Sequence, residues 1–247
     1  MNSDSNNVKT KKSSGSITGF LSTSIILFIV FSLGFLPVVI AGRILLFFIS
    51  FDQLLHFFLL PFFIYIGIVI TIFYQLLISG LVIHLFNIRY EPGVYDYSYR
   101  DKTSFKWVLI CVLYTPMRKI LEIFPMGFMK NFYYRLLGMK IGENTLIGGT
   151  IMDPCLTEIG DNCTMGLYAV IYGHIQVYED EKLILGRIKI GNNCVIGAGA
   201  FIMPGAVLED DVKLAAGAVV TKNQVLKKGR IYGGIPAKEI KKKKKIG

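Results

Sequence analysis

The chain has 247 residues, 53% of them hydrophobic, and a formal net charge of +10. Its mean hydropathy of +0.52 is far above that of an ordinary soluble domain, and the excess sits before residue 88. Cys111, Cys155, Cys163 and Cys194 form no CxxC pair and have no His-rich neighbours, which argues against a structural zinc or a disulfide framework and fits a reduced, cytosolic setting.

Residues 1–16 are rich in Ser, Asn and Lys and read as a disordered basic tail. From Ile17 to Ile40 no residue is charged. That length crosses the bilayer's apolar core, which takes roughly 20 helical residues. It is longer than the apolar region of a cleaved signal peptide, and a second apolar run follows. Arg43 and Asp52–Gln53 interrupt it; the second run extends from Leu54 to Ile88. Segment 17–88 therefore reads as two transmembrane helices. Lys9, Lys11 and Lys12 precede them, and Arg89, Arg100, Lys102 and Lys106 follow. The positive-inside rule then puts both termini in the cytosol and the Arg43–Gln53 turn outside. The basic balance beside apolar segments favours anionic lipid over nucleic acid as partner. His56 and His84 have no acidic partner in either span and read as neutral histidines near the interface.

Residues 89–136 form a juxtamembrane segment. Trp107–Tyr114 is apolar but too short to span, Pro116 and Pro125 are expected to break any long helix, and Arg118, Lys119, Lys130 and Arg135 alternate with apolar residues. The expected form is short amphipathic helices lying along the membrane surface.

From Ile141 the sequence repeats with a period of six: Ile141, Ile147, Ile159, Met165, Ile171 and Val177, then Ile190, Ile196, Ile202, Leu208, Leu214 and Val220. Asp153 breaks the series once. Gly follows many of these positions, and Cys163, Ala169, Cys194, Ala200, Ala206 and Ala218 stand two before others. Neither a helix nor a simple strand carries such a period. A short strand and a tight turn do, and three units close one coil of a solenoid whose aliphatic residues stack. The stretch Tyr178–Arg187 reads as a loop pushed out of a coil. Lys241–Lys245 is a polylysine tail, read as solvated or as a membrane tether.

Residues 137–240 resemble the left-handed β-helix acyltransferases, the hexapeptide family that includes galactoside and maltose acetyltransferases. The likeness runs through Ile159-Gly160-Asp161-Asn162, Gly173-His174, Ile190-Gly191-Asn192-Asn193, Pro204-Gly205, the run from Ala215 to Lys222, and Gly234-Ile235-Pro236-Ala237-Lys238. Upstream, Pro92-Gly93-Val94-Tyr95 and Tyr134-Arg135-Leu136-Leu137-Gly138 resemble the membrane module of poly-lysine-type nonribosomal peptide synthetases. The fold these likenesses imply is an α-helical membrane hairpin followed by an all-β left-handed parallel β-helix.

The implied activity is transfer of an acetyl group from acetyl-CoA to a hydroxyl or amine of a sugar, lipid-linked sugar or surface-polymer precursor, in a homotrimer and without a metal. His174 matches the family's catalytic histidine, and a base poised near neutral pH suits the step. Glu179, Asp180 and Glu181 are candidates for the carboxylate that would orient it. Ala198, Ala216 and Gly217 match positions along the pantetheine groove, and Thr221, Lys222 and Lys238 match positions near the CoA nucleotide. Three residues depart from the family pattern: Val195 stands for a common Trp, Ile235 for an Asn, and Glu209 for a Gly. Two other readings follow, a non-enzymatic trimeric scaffold at the membrane and an aminoacyl- or peptide-transfer module. A zinc enzyme on this coil would use three histidines, and the repeat half has one.

Overall fold

A computed structural model of the chain describes residues 15–48, 53–123 and 127–241. Most of the N-terminal tail, Asp52, Pro125 and the lysines after Lys241 lie outside the described residues.

The two apolar runs form long helices, α1 (Gly15–Phe48) and α2 (Leu54–Leu85). Both are long and apolar enough to cross a membrane. The α1 helix continues through Arg43, where an interruption was expected; an exposed arginine near a helix end keeps its charge in a polar layer without breaking backbone bonds. The pair packs closely where Gly34 leaves room for the amide of Gln75, whose Nε2 donates to the Phe31 carbonyl at 2.7 Å. Small residues facing a polar side chain are a common way to join apolar helices. His56 lies in the first turn of α2 and His84 in its last.

The segment expected on a membrane surface also joins the two halves of the molecule. After the short strand Gly93–Asp96, helix α3 runs unbroken from Lys102 to Ile123. Asp101 caps it, accepting from the Thr103 and Ser104 amides at 2.9 and 2.8 Å. Ser104, Trp107, Ile110, Leu113, Met117 and Leu121 recur at three- and four-residue spacing and are buried. Packing on that face offsets the roughly 3 kcal/mol that Pro116 costs inside a helix, so the expected break does not occur. Helix α4 (Gly127–Leu136) covers the open end of the coil. Its Asn131 donates to Thr145 O at 3.0 Å and its Arg135 to Ile141 O at 3.0 Å, while Tyr133 meets Ser79 of α2 at 3.0 Å.

The repeat half is a parallel β-helix of three stacked faces. Strands Lys140–Ile141, Thr157–Ile159, Ile188–Ile190, Val207–Leu208 and Val225–Leu226 build the first. The second runs from Leu146–Ile147 to Ile231–Gly233, where Lys238–Glu239 adds antiparallel. The third stacks Thr150–Ile151, Val170–Ile171, Phe201–Ile202 and Val219–Val220. Inward residues such as Ile171, Ile190, Ile196, Ile202 and Leu208 are buried. Asn144, Asn162, Asn193 and Asp211 hold positive φ at successive corners, a conformation that Asn and Asp tolerate better than most residues. Adjacent corners approach so closely that a Cβ on Gly197 would lie 2.3 Å from the Ala216 amide nitrogen.

The first coil departs from the six-residue count. Ile151, rather than Asp153, is its inward residue on the third face, paired with Ile171. The chain then passes through a 3-10 turn at Pro154–Leu156. Val177 also leaves the coil series. It ends strand His174–Val177, which pairs antiparallel with Lys182–Leu185. The expected loop is therefore a hairpin, and Gly93–Asp96 adds to it as a third strand.

Candidate active site at the coil corner

The corner after the third face brings Asp153 of the first coil beneath Gly173 of the second. Asp153 is 1% exposed. Its Oδ2 accepts from the Gly173 amide at 2.8 Å and lies 2.7 Å from His174 Nδ1, and its Oδ1 accepts from the Tyr90 hydroxyl at 2.7 Å. The Asp153 carbonyl takes a bond from Thr157 Oγ1 at 2.9 Å. Gly173 has to lack a side chain, because a Cβ there would sit 2.7 Å from that of Asp153. Burial, with the Asp153 carboxylate second, pushes the Tyr90 hydroxyl well above the ordinary tyrosine range, so it stays a neutral donor to the carboxylate.

With Nδ1–H donated to Asp153, the neutral imidazole presents Nε2 as a lone-pair acceptor. Trp107 of α3 packs edge-on against the ring with centroids 4.9 Å apart, and Tyr172 approaches it at 6.1 Å. The His174 side chain keeps 14% of its surface exposed. A carboxylate-oriented histidine with one free nitrogen at a partly open edge is an arrangement able to take a proton from an acceptor and return it to a leaving group.

Glu179, Asp180 and Glu181 do not provide the orienting carboxylate. They occupy the exposed turn of the hairpin, some five strand residues, or about 16 Å, beyond His174. The carboxylate that does is Asp153, the one break in the aliphatic series. Tyr90 and Trp107 also went unseen, because they come from the segment read as a membrane-surface element. The detectable signal was Asp153 itself, since an acid at a repeat position violates the local pattern and such violations gather at functional sites.

Ala198, Ala216 and Gly217 come together on the corner before the third face, where the Gly217 amide donates to Ala198 O at 2.9 Å. Both alanines are exposed. Lys238 pairs with Gly233 near the end of that corner column. Thr221 and Lys222 lie on the opposite edge of the same face, in the column that contains Tyr172 and Gly173, and both are exposed. Within one chain these residues thus bracket the third face rather than line one pocket. Val195 and Ile235 are exposed, and Glu209 turns outward to bond Lys227 Nζ at 2.8 Å and the Lys228 amide at 2.9 Å.

Residues 187–222 match the family model described as the hexapeptide repeat of succinyl-transferase. The C-terminal half is a hexapeptide-repeat β-helix. Among solved structures, the chain is similar to a maltose O-acetyltransferase from Clostridium difficile 630, at 21% identity over 67% of this chain and 95% of that one, with a TM-score of 0.45. It is similar to a hexapeptide-repeat acetyltransferase from Vibrio cholerae at 23% identity, covering 42% of this chain and 62% of that one, less than two thirds of its length, with a TM-score of 0.40. A galactoside acetyltransferase in complex with coenzyme A matches at 21% identity over 46% of this chain and 69% of that one, with a TM-score of 0.38. No curated protein matches the sequence significantly.

Proposed function

We propose that the protein is a membrane-anchored acyltransferase, moving an acetyl group from acetyl-CoA to a hydroxyl or amine of a sugar or lipid-linked sugar acceptor, with His174 as general base. The observation that carries this reading is the pair of buried Asp153 and part-exposed His174 at a corner of the β-helix. In the proposed step the acceptor's proton passes to His174 Nε2 as its oxygen or nitrogen attacks the thioester carbonyl. The C–S bond breaks as the tetrahedral intermediate collapses, and the imidazolium returns the proton to the CoA thiolate. Backbone N–H groups of the Gly-rich corners are suited to the oxyanion.

For the donor, the exposed corner of Ala198, Ala216 and Gly217 suits pantetheine lying against backbone, in a groove shared by neighbouring copies of a homotrimer. Thr221, Lys222 and Lys238 suit the phosphates at the nucleotide end. The anchor is α1 and α2, at about 51 and 48 Å each by helical rise, and both exceed the ~30 Å apolar core. Both termini and the coil then lie on the cytosolic side.

The test is acetyl-CoA binding by calorimetry on detergent-solubilised protein and on His174→Ala, with thioester cleavage followed against a sugar panel. Binding by both proteins and turnover only by the unmodified one is the expected result. Equal turnover in His174→Ala removes the base. Absence of binding in both removes the donor and favours a scaffold.

A further inference from the structure

A second concavity, of ≈ 580 Å³, lies between α3, the start of α4 and the first two coils. Its charged lining is Arg118, Lys119 and Lys130 against the single carboxylate Glu122, which leaves two positive charges uncompensated. Glu122 is already engaged, accepting from Arg118 Nη1 at 2.9 Å, Lys119 Nζ at 3.0 Å and Thr150 Oγ1 at 2.9 Å. Lys130 spends its ammonium on the Gly149 carbonyl at 2.6 Å and has no carboxylate partner among the described residues. The Arg118 side chain is 12% exposed, and its Nε–H is buried without an acceptor among the described residues. A guanidinium that lines a groove beside two lysines suits a bound oxyanion.

The groove has two telling neighbours. One end is lined by Met152 and Tyr172, the residues next to Asp153 and just before Gly173-His174, and the Tyr172 ring is 6.1 Å from that of His174. On the other side, Met129 and Phe132 of α4 and Phe73 and Leu77 of α2 line one narrow cleft. A bilayer core takes roughly 20 of the α2 residues, so if it begins near Leu54 the apolar span ends near Phe73. Lys130 and the groove then stand at headgroup height.

We propose that this groove binds a diphosphate carried by the acyl acceptor, with Arg118, Lys119 and Lys130 on the phosphate oxygens and the acceptor hydroxyl or amine reaching past Tyr172 to His174. Its role as acceptor site rests on the acyl-transfer reading; the anion site itself does not. A diphosphate reaches it either on a membrane lipid or on a soluble nucleotide.

The experiment places the full chain in phosphatidylcholine nanodiscs and titrates inorganic pyrophosphate by calorimetry, with Lys119→Gln/Lys130→Gln as the variant. Lys119 is on the surface, and glutamine at 130 keeps an N–H for Gly149, so folding is preserved. The unmodified protein is expected to bind with salt-sensitive affinity and the variant to lose about tenfold or more. Absence of binding, or equal binding by the variant, overturns the site. Displacement of pyrophosphate by a polyprenyl diphosphate in the nanodisc supports a membrane-borne acceptor; displacement by uridine diphosphate alone overturns that source while keeping the anion site. If CoA displaces pyrophosphate and loses affinity in the variant, the groove belongs to the donor and the proposal falls. Acetyl-CoA cleavage on the same samples separates the two readings, since pyrophosphate binding without any turnover sinks acyl transfer and leaves the groove.

Discussion

Asp153→Asn isolates the charge behind His174 from the geometry that holds it. The amide keeps an oxygen for the Gly173 N–H and the His174 Nδ1–H. The Tyr90 hydroxyl, now facing Nδ2, can turn from donor to acceptor. The fold therefore survives, whereas Asp153→Ala would strand two buried groups at about 1–3 kcal/mol each. In the proposed step, what the amide removes is stabilisation of the imidazolium that forms as the acceptor loses its proton. For charges about 4 Å apart at an effective dielectric of about 20, that is about 4 kcal/mol. At 1.36 kcal/mol per decade, kcat falls about a thousandfold. Acetyl-CoA affinity should stay the same, because the carboxylate acts through the histidine. The assay is release of free CoA thiol against acceptor concentration, with thermal melting as the control for folding. A variant that melts normally and turns over within threefold of the unmodified protein would falsify the assignment of Asp153 as the positioning carboxylate.

Gly173→Ala should be worse for stability, at about 1–3 kcal/mol, because the new Cβ meets that of Asp153 and neither can swing away; a melting temperature unchanged from the parent would contradict this. Ile202→Ala, in the fully buried stack of the third face, should cost about 2–5 kcal/mol, read as a lower melting temperature in detergent without loss of the His174 geometry at ambient temperature. Burial lowers the Lys130 pKa, with the Glu122 carboxylate opposing. Its charge is therefore lost, as pH rises, below the ordinary lysine value near 10.4. Pyrophosphate affinity should decline over that window, and Lys130→Gln should abolish the decline; a decline of equal size in the variant would assign it to another group.

The repeat was legible because each of its physical requirements falls on a fixed residue type. Aliphatic residues face inward, Gly sits where coils touch, and Asn or Asp takes the left-handed corner, all at one spacing. The two apolar helices were legible from composition alone. His174 was singled out by its likeness to the family's histidine, but the carboxylate the structure sets beside it was not. Asp153 lies 21 residues earlier, and its proximity depends on a coil that turns early at Ile151 and makes up the count at Pro154–Leu156. The segment from Arg89 to Leu136 hid its packing for a related reason. Its polar and apolar residues alternate as they would on a membrane surface, yet the apolar face of α3 meets another part of the same chain. Periodicity reports that a face is buried, not against what. Pro116 was misjudged on the same ground, because local propensity yields where tertiary packing is extensive.

The strand Gly93–Asp96 lies along the outer edge of Lys182–Leu185 and so occupies a row of backbone donors and acceptors that would otherwise be open. Cutting the chain after Asp96 to obtain a soluble fragment would uncover that row next to Leu183 and Leu185. Exposed edges of this kind recruit strands from other molecules. The expected product of such a truncation is an aggregate rather than a tractable domain. The N-terminal part thus shields the hairpin that begins at His174, and expression strategies should retain it whole.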